Sequence, residues 1–460
     1  MDKIYHSSIT GKYRSIKNAV NAALLLIYFG ASWIRWDRGS FAPKQAFFID
    51  LPERRGYFFS IEIWPNELYY IAAILVLSAL GLFLFTSLFG RLWCGYTCPQ
   101  TVFVDLFVKI EEFFQGDRNT RIKLDSSPIN KEKVIKKSLT HLSWLLLSFL
   151  FAFGWVCYFY EAPDLLHDVV HLSVTHGGVG WLLSLTASTY LFAAILRHRV
   201  CVYMCPYGRF QSAMLDSDTT VVTYHDWRGE PRHPIDKHTN TAQDLKHGDC
   251  IDCGKCVLVC PMGIDIRNGL QMACIGCGLC IDACDSVMTK LKRPTGLIAY
   301  DSINSTSAKQ SGILFHRNIF RPKTIFYGLI MIISCSLLLY TLAHKSRYII
   351  TAQKDRSALF VITPDGMVRN TFLLKISNKT LQTQKLELNL EYAYNATFLL
   401  QNMMQDYSNN CTITAPEDSD VTYKIFVKTN KHDGQSESPI KFIITDSNGV
   451  SAQTSSTFSQ

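Results

Sequence analysis

Two related stretches decide how this chain folds: RLWCGYTCPQ at residues 91–100 and RVCVYMCPYGRF at residues 199–210. In each, two cysteines stand four positions apart, a proline follows the second cysteine, and a long apolar segment precedes the motif. Proline disfavours helix at the residue before it and suits the first turn of a new helix. Each motif therefore predicts the end of a membrane-length helix, the start of another helix, and a pair of thiols at the junction.

The apolar segments before the motifs are long enough to cross a bilayer, which takes about 20 mostly apolar residues. Of the 460 residues, 48% are hydrophobic, which is typical of a protein with both membrane and soluble parts. We therefore expect an α-helical integral membrane protein with five transmembrane helices. The predicted spans are residues 18–36, 68–90, 139–160, 180–197 and 324–343. The first is interpreted as a retained anchor, because it lacks a small-residue cleavage site.

Lysine and arginine predict the orientation, because cytoplasmic loops carry an excess of them. Both are frequent in the N-terminal tail and in residues 91–138 and 198–323, whereas residues 161–178 contain neither. We expect a multi-pass protein of the bacterial inner membrane, with these basic segments in the cytoplasm and the C-terminal part in the periplasm. The loop at residues 37–67 contains four basic residues and fits this rule poorly. The net charge of +8 is spread through the loops, so a nucleic-acid partner is not expected.

The predicted organisation has six parts. They are the N-terminal tail with the first two spans (1–90), a cytoplasmic loop with the first motif and an amphipathic helix (91–138), spans three and four with the second motif (139–215), a ferredoxin domain (216–310), the fifth span (311–343) and a periplasmic domain (344–460). The helix after Pro99 has Phe103, Phe107 and Ile110 opposite Asp105, which predicts that it lies on the membrane surface. The last part has short alternating apolar segments separated by turn residues, which is typical of an all-β immunoglobulin-like sandwich.

The strongest chemical signal is CIDCGKCVLVCP at 250–261 followed by CIGCGLCIDAC at 274–284. Each has the Cys-x2-Cys-x2-Cys-x3-Cys spacing of a ferredoxin-like α+β domain that holds two 4Fe–4S clusters, in which the fourth cysteine of each run binds the other cluster. The predicted ligands are Cys250, Cys253, Cys256 and Cys284 for the first cluster, and Cys274, Cys277, Cys280 and Cys260 for the second. A pair of zinc sites is the alternative, although zinc sites rarely use this spacing twice.

The cysteines of the two membrane motifs are Cys94, Cys98, Cys201 and Cys205. Cysteines at i and i+4 share one helix face, so the two motifs together present up to four soft thiolates, which favour Cu(I), zinc or iron–sulfur. The alternative is that they pack or form a reversible disulfide. The motifs also align as a repeat that pairs Arg91 with Arg199, Tyr96 with Tyr203, and Phe103 with Phe210.

The remaining histidines and cysteines carry weaker signals. His167, His171 and His176 fall in an outer loop and are candidate copper or zinc ligands. Histidines in such a loop are more often solvated side chains without a metal. Cys157 and Cys335 lie in apolar segments, where cysteine usually behaves as a small buried hydrophobe. Cys411 has no partner for a disulfide in its domain. No nucleotide or flavin fingerprint is present in the sequence.

With five spans, CGYTCP, CVYMCPYGRFQSAML, the two-cluster insert and the outer FLLKISNKT domain, the chain resembles the cytochrome c oxidase accessory proteins of the CcoG family, also called FixG or RdxA. The resemblance covers nearly the whole length. It implies a role in assembly of cbb3-type oxidase by reducing Cu(II) to Cu(I), with the four motif cysteines as the copper or redox site. It further implies that the outer domain meets oxidase subunits or copper-delivery assembly factors.

Three functions follow as hypotheses. The first is a cupric reductase that receives electrons from an unidentified cytoplasmic donor. The second is a membrane ferredoxin subunit that exchanges electrons with quinone, as NapH-type proteins do. The third is a non-enzymatic copper carrier or assembly scaffold. A homodimer is left open by the sequence.

Overall fold

The computed structural model describes residues 3–38, 42–234, 248–313, 318–355, 359–380, 382–392, 396–401, 407–430 and 437–460. The chain divides into two compact units. The first comprises Met1–Asp37 and Pro43–Leu338, and the second comprises Arg38–Ala42 and Leu339–Gln460.

Helices predominate in the first unit and strands in the second. The helices are α1 (Lys12–Gly30), α2 (Tyr69–Phe89), α3 (Leu92–Tyr96), α4 (Pro99–Gln115), α5 (Arg118–Ser126), α6 (Lys131–Val156), α7 (Ala162–Val170), α8 (His176–Thr189), α9 (Pro206–Met214), α10 (Asp226–Gly229), α11 (Lys255–Leu258), α12 (Leu279–Lys290), α13 (Ile303–Gln310) and α14 (Pro322–Ala343). Short 3-10 turns occupy Ala31–Trp33, Pro65–Glu67 and Ile266–Asn268, and π-helical turns occupy Tyr190–Leu196 and Val200–Met204. The strands are β1 (Phe47–Asp50), β2 (Arg55–Phe58), β3 (Ile61–Ile63), β4 (Val221–Tyr224), β5 (Ile298–Asp301), β6 (Tyr348–Lys354), β7 (Val361–Ile362), β8 (Val368–Asn378), β9 (Gln384–Tyr392), β10 (Ala396–Leu400), β11 (Asn410–Ala415), β12 (Ser419–Thr429), β13 (Glu437–Thr445) and β14 (Ser451–Ser459).

Within the described residues, four helical segments are long and apolar enough to cross a membrane: Pro65–Phe89, Lys131–Val156, His176–Leu196 and Pro322–Ala343. They correspond to the second to fifth predicted spans. The first predicted span, 18–36, lies in α1 and the turn after it. Because α1 begins with Lys12, Arg14 and Lys17, it is not among the four, and the predicted number of five is not confirmed.

Local capping residues predict where the helices begin and end better than the hydropathy of the sequence does. The third predicted span began at residue 139, but α6 begins eight residues earlier. There, the Asn130 side chain accepts a hydrogen bond of 2.8 Å from the Lys133 N–H and so caps the helix. At its C-terminal end, helix α2 stops before Gly90, whose φ of 58° lies in the left-handed region that favours glycine.

Helix α4 forms as predicted, and other parts of the chain cover two of its faces. Phe107 is fully buried against α6 and the Tyr190–Leu196 turn, and Glu111 on another face is also fully buried. The Glu111 carboxylate is 2.7 Å from Arg197 Nη2 and 2.8 Å from Lys3 Nζ. Partners distant in the sequence thus cover part of the polar face of α4, and its position on the inner membrane surface stays a prediction.

The cluster-binding part of the first unit is closed by a two-stranded sheet. Strands β4 and β5 pair antiparallel, with Val221 opposite Asp301 and Tyr224 opposite Ile298. Helix α12 packs against β5 and reaches back to the N-terminus of α1, where Asp282 accepts from the backbone N–H groups of Tyr13 and Arg14 at 3.1 and 2.8 Å. This α+β arrangement fits the predicted ferredoxin-like domain.

The second unit is built from two antiparallel sheets. One has the strand order β10-β12-β8-β6, with β7 also on β8, and the other has the order β11-β9-β13-β14. Phe372 and Leu374 alternate along β8 towards one apolar core, and Phe442 on β13 enters the same core from the second sheet. The period-2 apolar pattern therefore predicted an all-β domain correctly.

Candidate metal centres

The four cysteines predicted for the first cluster surround one cavity. Cys250, Cys253, Cys256 and Cys284 line it together with Tyr224 and Arg267. Cys284 comes from α12, whereas the other three come from α11 and the loop before it, so cysteines of both runs meet at this cavity. Cys250 and Cys256 are buried, and Cys253 is exposed.

A second cavity of nearly the same size holds the other predicted set, Cys260, Cys274, Cys277 and Cys280. Each of the two cavities has a volume of about 20 Å³. The second is the more deeply placed one, since Cys274 and Cys277 are buried and Cys260 and Cys280 are partly buried. Cys256 lines both cavities and so lies between them.

These two sets fit a cubane better than a single ion. Among the described residues, no three Cys, His, Asp or Glu side chains converge closely enough to hold one metal ion. A 4Fe–4S cluster binds each thiolate to a different iron, so its four sulfurs stand farther apart than those around one zinc. Burial raises the pKa of Cys274 and Cys284 to about 12, which keeps these thiols protonated until a metal displaces the protons.

Backbone conformation in the cysteine loops depends on glycine. Gly254, Gly276 and Gly278 have φ values of 66°, 67° and 72°. These left-handed positions let the chain double back between the ligands without a Cβ clash. The Gly276 N–H lies 3.4 Å from Cys274 Sγ, so at least one backbone donor faces a sulfur.

The four motif cysteines come together but not as the motif spacing predicted. Cys94 lies on the short helix α3, while Cys98 is extended and precedes α4. Cys201 lies in the π-helical turn Val200–Met204, while Cys205 is extended and precedes α9. The prediction that each pair shares one helix face is wrong, because the residue before proline is driven out of the helical conformation.

The thiols of the two motifs nevertheless influence one another. The pKa of Cys94 is raised to about 11, mainly by burial; the hydrogen bond from Gln211 lowers it, and neighbouring Cys98 and Cys205 contribute to the rise. Burial likewise raises the pKa of Cys201 to about 12, with smaller contributions from Cys98 and Cys94. The thiols of the two motifs therefore lie near one another, although no three of them converge closely enough in this structure to hold one metal ion.

The first motif is docked directly on the second cluster loop. A Cβ on Gly95 would lie 2.9 Å from Cys277 Cα, so only glycine permits this approach. The Tyr96 hydroxyl donates to the Cys277 carbonyl at 3.0 Å. The buried Arg91 guanidinium donates to the Met272 carbonyl, to the Cys274 carbonyl at 3.1 Å and to the Gly208 carbonyl at 3.2 Å.

Gln211 is a site residue that sequence reasoning missed. Its amide nitrogen lies 3.2 Å from Cys94 Sγ, and the side chain is buried. It stands in CVYMCPYGRFQSAML, on α9 directly after the second motif, so it connects the second motif to the first. Gln211 lies about one and a half helical turns after Pro206, and this position on α9 is the signal in the sequence that could have predicted its place beside the motif cysteines.

The other candidate ligands lie elsewhere. The rings of His167 and His171 stack at 4.1 Å between centroids on the exposed side of α7, and His171 Nδ1 contacts the His167 carbonyl. Cys157 is buried, as predicted, whereas Cys335 is exposed on α14.

The fold and the thiol-lined cavities define a membrane-bound iron–sulfur electron-transfer protein. A family model described as "4Fe-4S dicluster domain" matches residues 196–303, and one described as "4Fe-4S binding domain" matches residues 71–121. A third, "IG-like fold at C-terminal of FixG, putative oxidoreductase", matches residues 338–460.

Curated relatives extend the match to most of the chain. Nitrogen fixation protein FixG of Rhizobium meliloti is 41% identical over 456 residues, covering 93% of this chain and 87% of that protein. Protein RdxA and protein RdxB of Cereibacter sphaeroides are 43% and 38% identical over 84% and 94% of this chain, and 81% and 89% of their own lengths. The chain belongs to the FixG/RdxA family.

Proposed function

We propose that this protein reduces Cu(II) to Cu(I) for assembly of a cbb3-type cytochrome c oxidase, with copper held as substrate by Cys94, Cys98, Cys201 and Cys205. The observation that carries the proposal is the direct contact between the first motif and the second cluster loop. A pair of 4Fe–4S clusters supplies single electrons, and reduction of one Cu(II) takes one.

The contacts around Gly95 support short-range transfer. Cys94, Cys201 and Cys260 pack against one apolar cluster that includes Cys277 and Ile275. Cys94 and a predicted ligand of the second cluster therefore share one packed interior, with no solvent layer required between them. Soft thiolates favour Cu(I) over Cu(II), so the motif raises the potential of bound copper and favours its reduction.

Differences in exposure suggest a direction. Cys253 of the first predicted set is exposed, whereas Cys274 and Cys277 of the second are buried beside the motif cysteines. We propose that a cytoplasmic donor docks near Cys253 and that electrons leave at the second set.

The finer topology belongs to the same proposal. We place the ferredoxin domain, residues 216–310, in the cytoplasm, and residues 344–460 in the periplasm as an immunoglobulin-like domain that meets oxidase subunits or copper-delivery factors. We assign α1 as a fifth crossing, with Lys17 and Arg14 paired to Asp105 at its cytoplasmic end, at 3.4 and 2.8 Å. Association as a homodimer is compatible with this arrangement.

The test uses full-length protein purified without oxygen, with both clusters chemically reduced. Cu(II) is added, and cluster oxidation by visible absorbance is followed together with loss of the Cu(II) EPR signal. In the wild type we expect the two signals to change in step, one Cu(II) for each electron. A variant with Cys94, Cys98, Cys201 and Cys205 changed to serine should keep its clusters and lose the coupled reaction.

A matched control changes two cysteines outside these sites, Cys335→Ser and Cys411→Ser, and should behave as the wild type. Equal rates in the wild type and the four-serine variant would show that copper is reduced elsewhere. Cluster oxidation without loss of the Cu(II) signal would sink the cupric-reductase function altogether.

A further inference from the structure

A cavity of about 500 Å³ lies where α4, α6 and the turn Tyr190–Leu196 meet the cluster-binding loops. Its volume is within the range of pockets that hold small organic ligands, about 300–1,000 Å³. None of the cysteines predicted as ligands lines it. It is distinct from the two thiol-lined cavities and is the larger space.

One wall of the cavity is apolar and aromatic. Val108, Trp144 and Ile195 line it, and Trp144 is buried. Ile195 is 54% exposed and lies in the membrane-length segment His176–Leu196. The apolar wall therefore continues onto the side of a helix that is expected to face lipid, which offers a path for an apolar tail.

The charged residues at the opposite end are already paired. Lys3 and Arg197 contact the Glu111 carboxylate, and Lys137 is 2.5 Å from Asp125. Burial raises the pKa of Glu111, but the charges of Arg197 and Lys3 outweigh it and hold that pKa below its usual value. This end of the cavity is therefore rich in hydrogen-bond donors that are held by ion pairs, and a head group with acceptor oxygens fits it.

Histidine supplies hydrogen-bonding capacity in the same space. His141 and His198 both line the cavity. His198 Nδ1 is buried and finds no hydrogen-bond partner among the described residues. A buried polar atom of this kind is unfavourable unless a ligand or water pairs with it.

The third wall belongs to the cluster-binding loops. Pro261 and Met262 directly follow Cys260, and Ala273 directly precedes Cys274. A ligand in the cavity is therefore separated from two predicted cluster ligands by one or two residues of chain. This position favours a redox-active ligand over a structural lipid.

We infer that this cavity binds the head group of a membrane quinone, with the ring against Trp144, a ring carbonyl towards His198 and the isoprenoid tail leaving past Ile195. A quinone carries two electrons, and two 4Fe–4S clusters together exchange two, so the stoichiometry of ligand and protein agrees. The inference goes beyond copper reduction and does not depend on it.

The test is direct binding of decylubiquinone to the full-length protein in phosphatidylcholine nanodiscs, with clusters intact and no copper. Quenching of tryptophan fluorescence reports binding, and Trp144→Phe should remove most of the change. Ile195→Phe narrows the cavity and His198→Leu removes the polar partner, so each should weaken binding by about tenfold or more. Leu183→Phe and His176→Leu, on the same helical segment but away from the cavity, should bind as the wild type does.

Visible absorbance of each variant checks that cluster content is unchanged, so a folding defect is recognised as such. Absence of saturable binding in the wild type would overturn the inference, as would equal affinity in the two cavity variants and their two controls. Displacement of decylubiquinone by phosphatidylglycerol, but not by a second quinone, would identify a lipid site and also overturn it. None of these outcomes alters the copper test, which reads a different signal on reduced protein.

Discussion

The two cysteine–proline motifs share their spacing but differ in what they contact. In the first, Tyr96 is 7% exposed and bonded to the Cys277 carbonyl, whereas Tyr203 at the equivalent place in the second is 53% exposed. Gly95, pressed against Cys277, corresponds to Val202, which is 37% exposed. The repeat is one of spacing and thiol chemistry: the first copy docks on the second cluster loop, whereas Val202 and Tyr203 of the second copy are exposed.

The largest expected effect, on cluster content, comes from substituting the residue that stands between the first cysteine and the tyrosine of each motif, which is Gly95 in the first motif and Val202 in the second. Gly95→Val places a side chain where even a Cβ would be 2.9 Å from both Cys277 Cα and the Ile275 carbonyl oxygen, so the second loop must move. We expect loss of the second cluster and hence about half of the iron and sulfide per chain. Val202→Gly should keep both clusters. A Gly95→Val protein with full iron content would show that the docking is not required.

The arginine before each motif should give the next largest difference. Arg91→Met leaves the Met272, Cys274 and Gly208 carbonyls without this donor, and each buried acceptor left unpaired costs about 1–3 kcal/mol. We expect a lower thermal midpoint for cluster loss. Arg199→Met, at an exposed position, should change stability by no more than about 0.5 kcal/mol. Equal midpoints for the two variants would remove the distinction between the motifs.

The tyrosines should show a smaller contrast. Tyr96→Phe removes one hydrogen bond to the Cys277 carbonyl, which is worth about 1 kcal/mol. Tyr203→Phe should stay within about 0.5 kcal/mol of wild type because the side chain is exposed. Denaturant titration followed by cluster absorbance measures both. A larger loss for Tyr203→Phe would mean that the second motif is covered in the intact membrane.

The smallest effect concerns thiol reactivity. Burial raises the pKa of Cys94 to about 11, and the Gln211 amide counteracts part of that rise. Gln211→Leu should raise this pKa further, so less thiolate is present at any given pH and the curve of labelling rate moves to higher pH. Mass spectrometry of the Cys94 peptide should show labelling slowed by about threefold to tenfold at fixed pH. The Cys201 peptide of the same sample is the internal control.

Local spacing predicted which cysteines line each of the two cavities, because most of the cysteines of each set follow one another at short, fixed intervals. Only Cys260 and Cys284 belong to the cluster of the other run, and the ferredoxin pattern predicts this exchange. The asymmetry of the two motifs could not be predicted in the same way, since it depends on contacts 181 positions away. The sequence did carry one sign of this difference: the first motif has glycine at position 95 where the second has valine at position 202, and glycine permits close approach of another backbone.

Burial of charge was the other feature that spacing did not show. Glu111 was not distinguished from a solvated side chain, because its partners Arg197 and Lys3 lie far from it in the sequence. The capping of α6 by Asn130 was, by contrast, a local signal that hydropathy alone overlooked. Four of the five predicted spans followed from long apolar segments, and the all-β domain followed from its period-2 apolar pattern.

The contact between Asp282 and the start of α1 has a consequence for the order of biosynthesis. The carboxylate that caps the backbone at Tyr13 and Arg14 is encoded 268 to 269 positions later. Ribosomes add about 5–20 residues per second, so α1 exists for on the order of tens of seconds before its cap is made. During that interval the N-terminal segment has to be retained near the membrane without its final partner. The N-terminal segment can therefore reach its final structure only after the cluster-binding part of the chain has been synthesised.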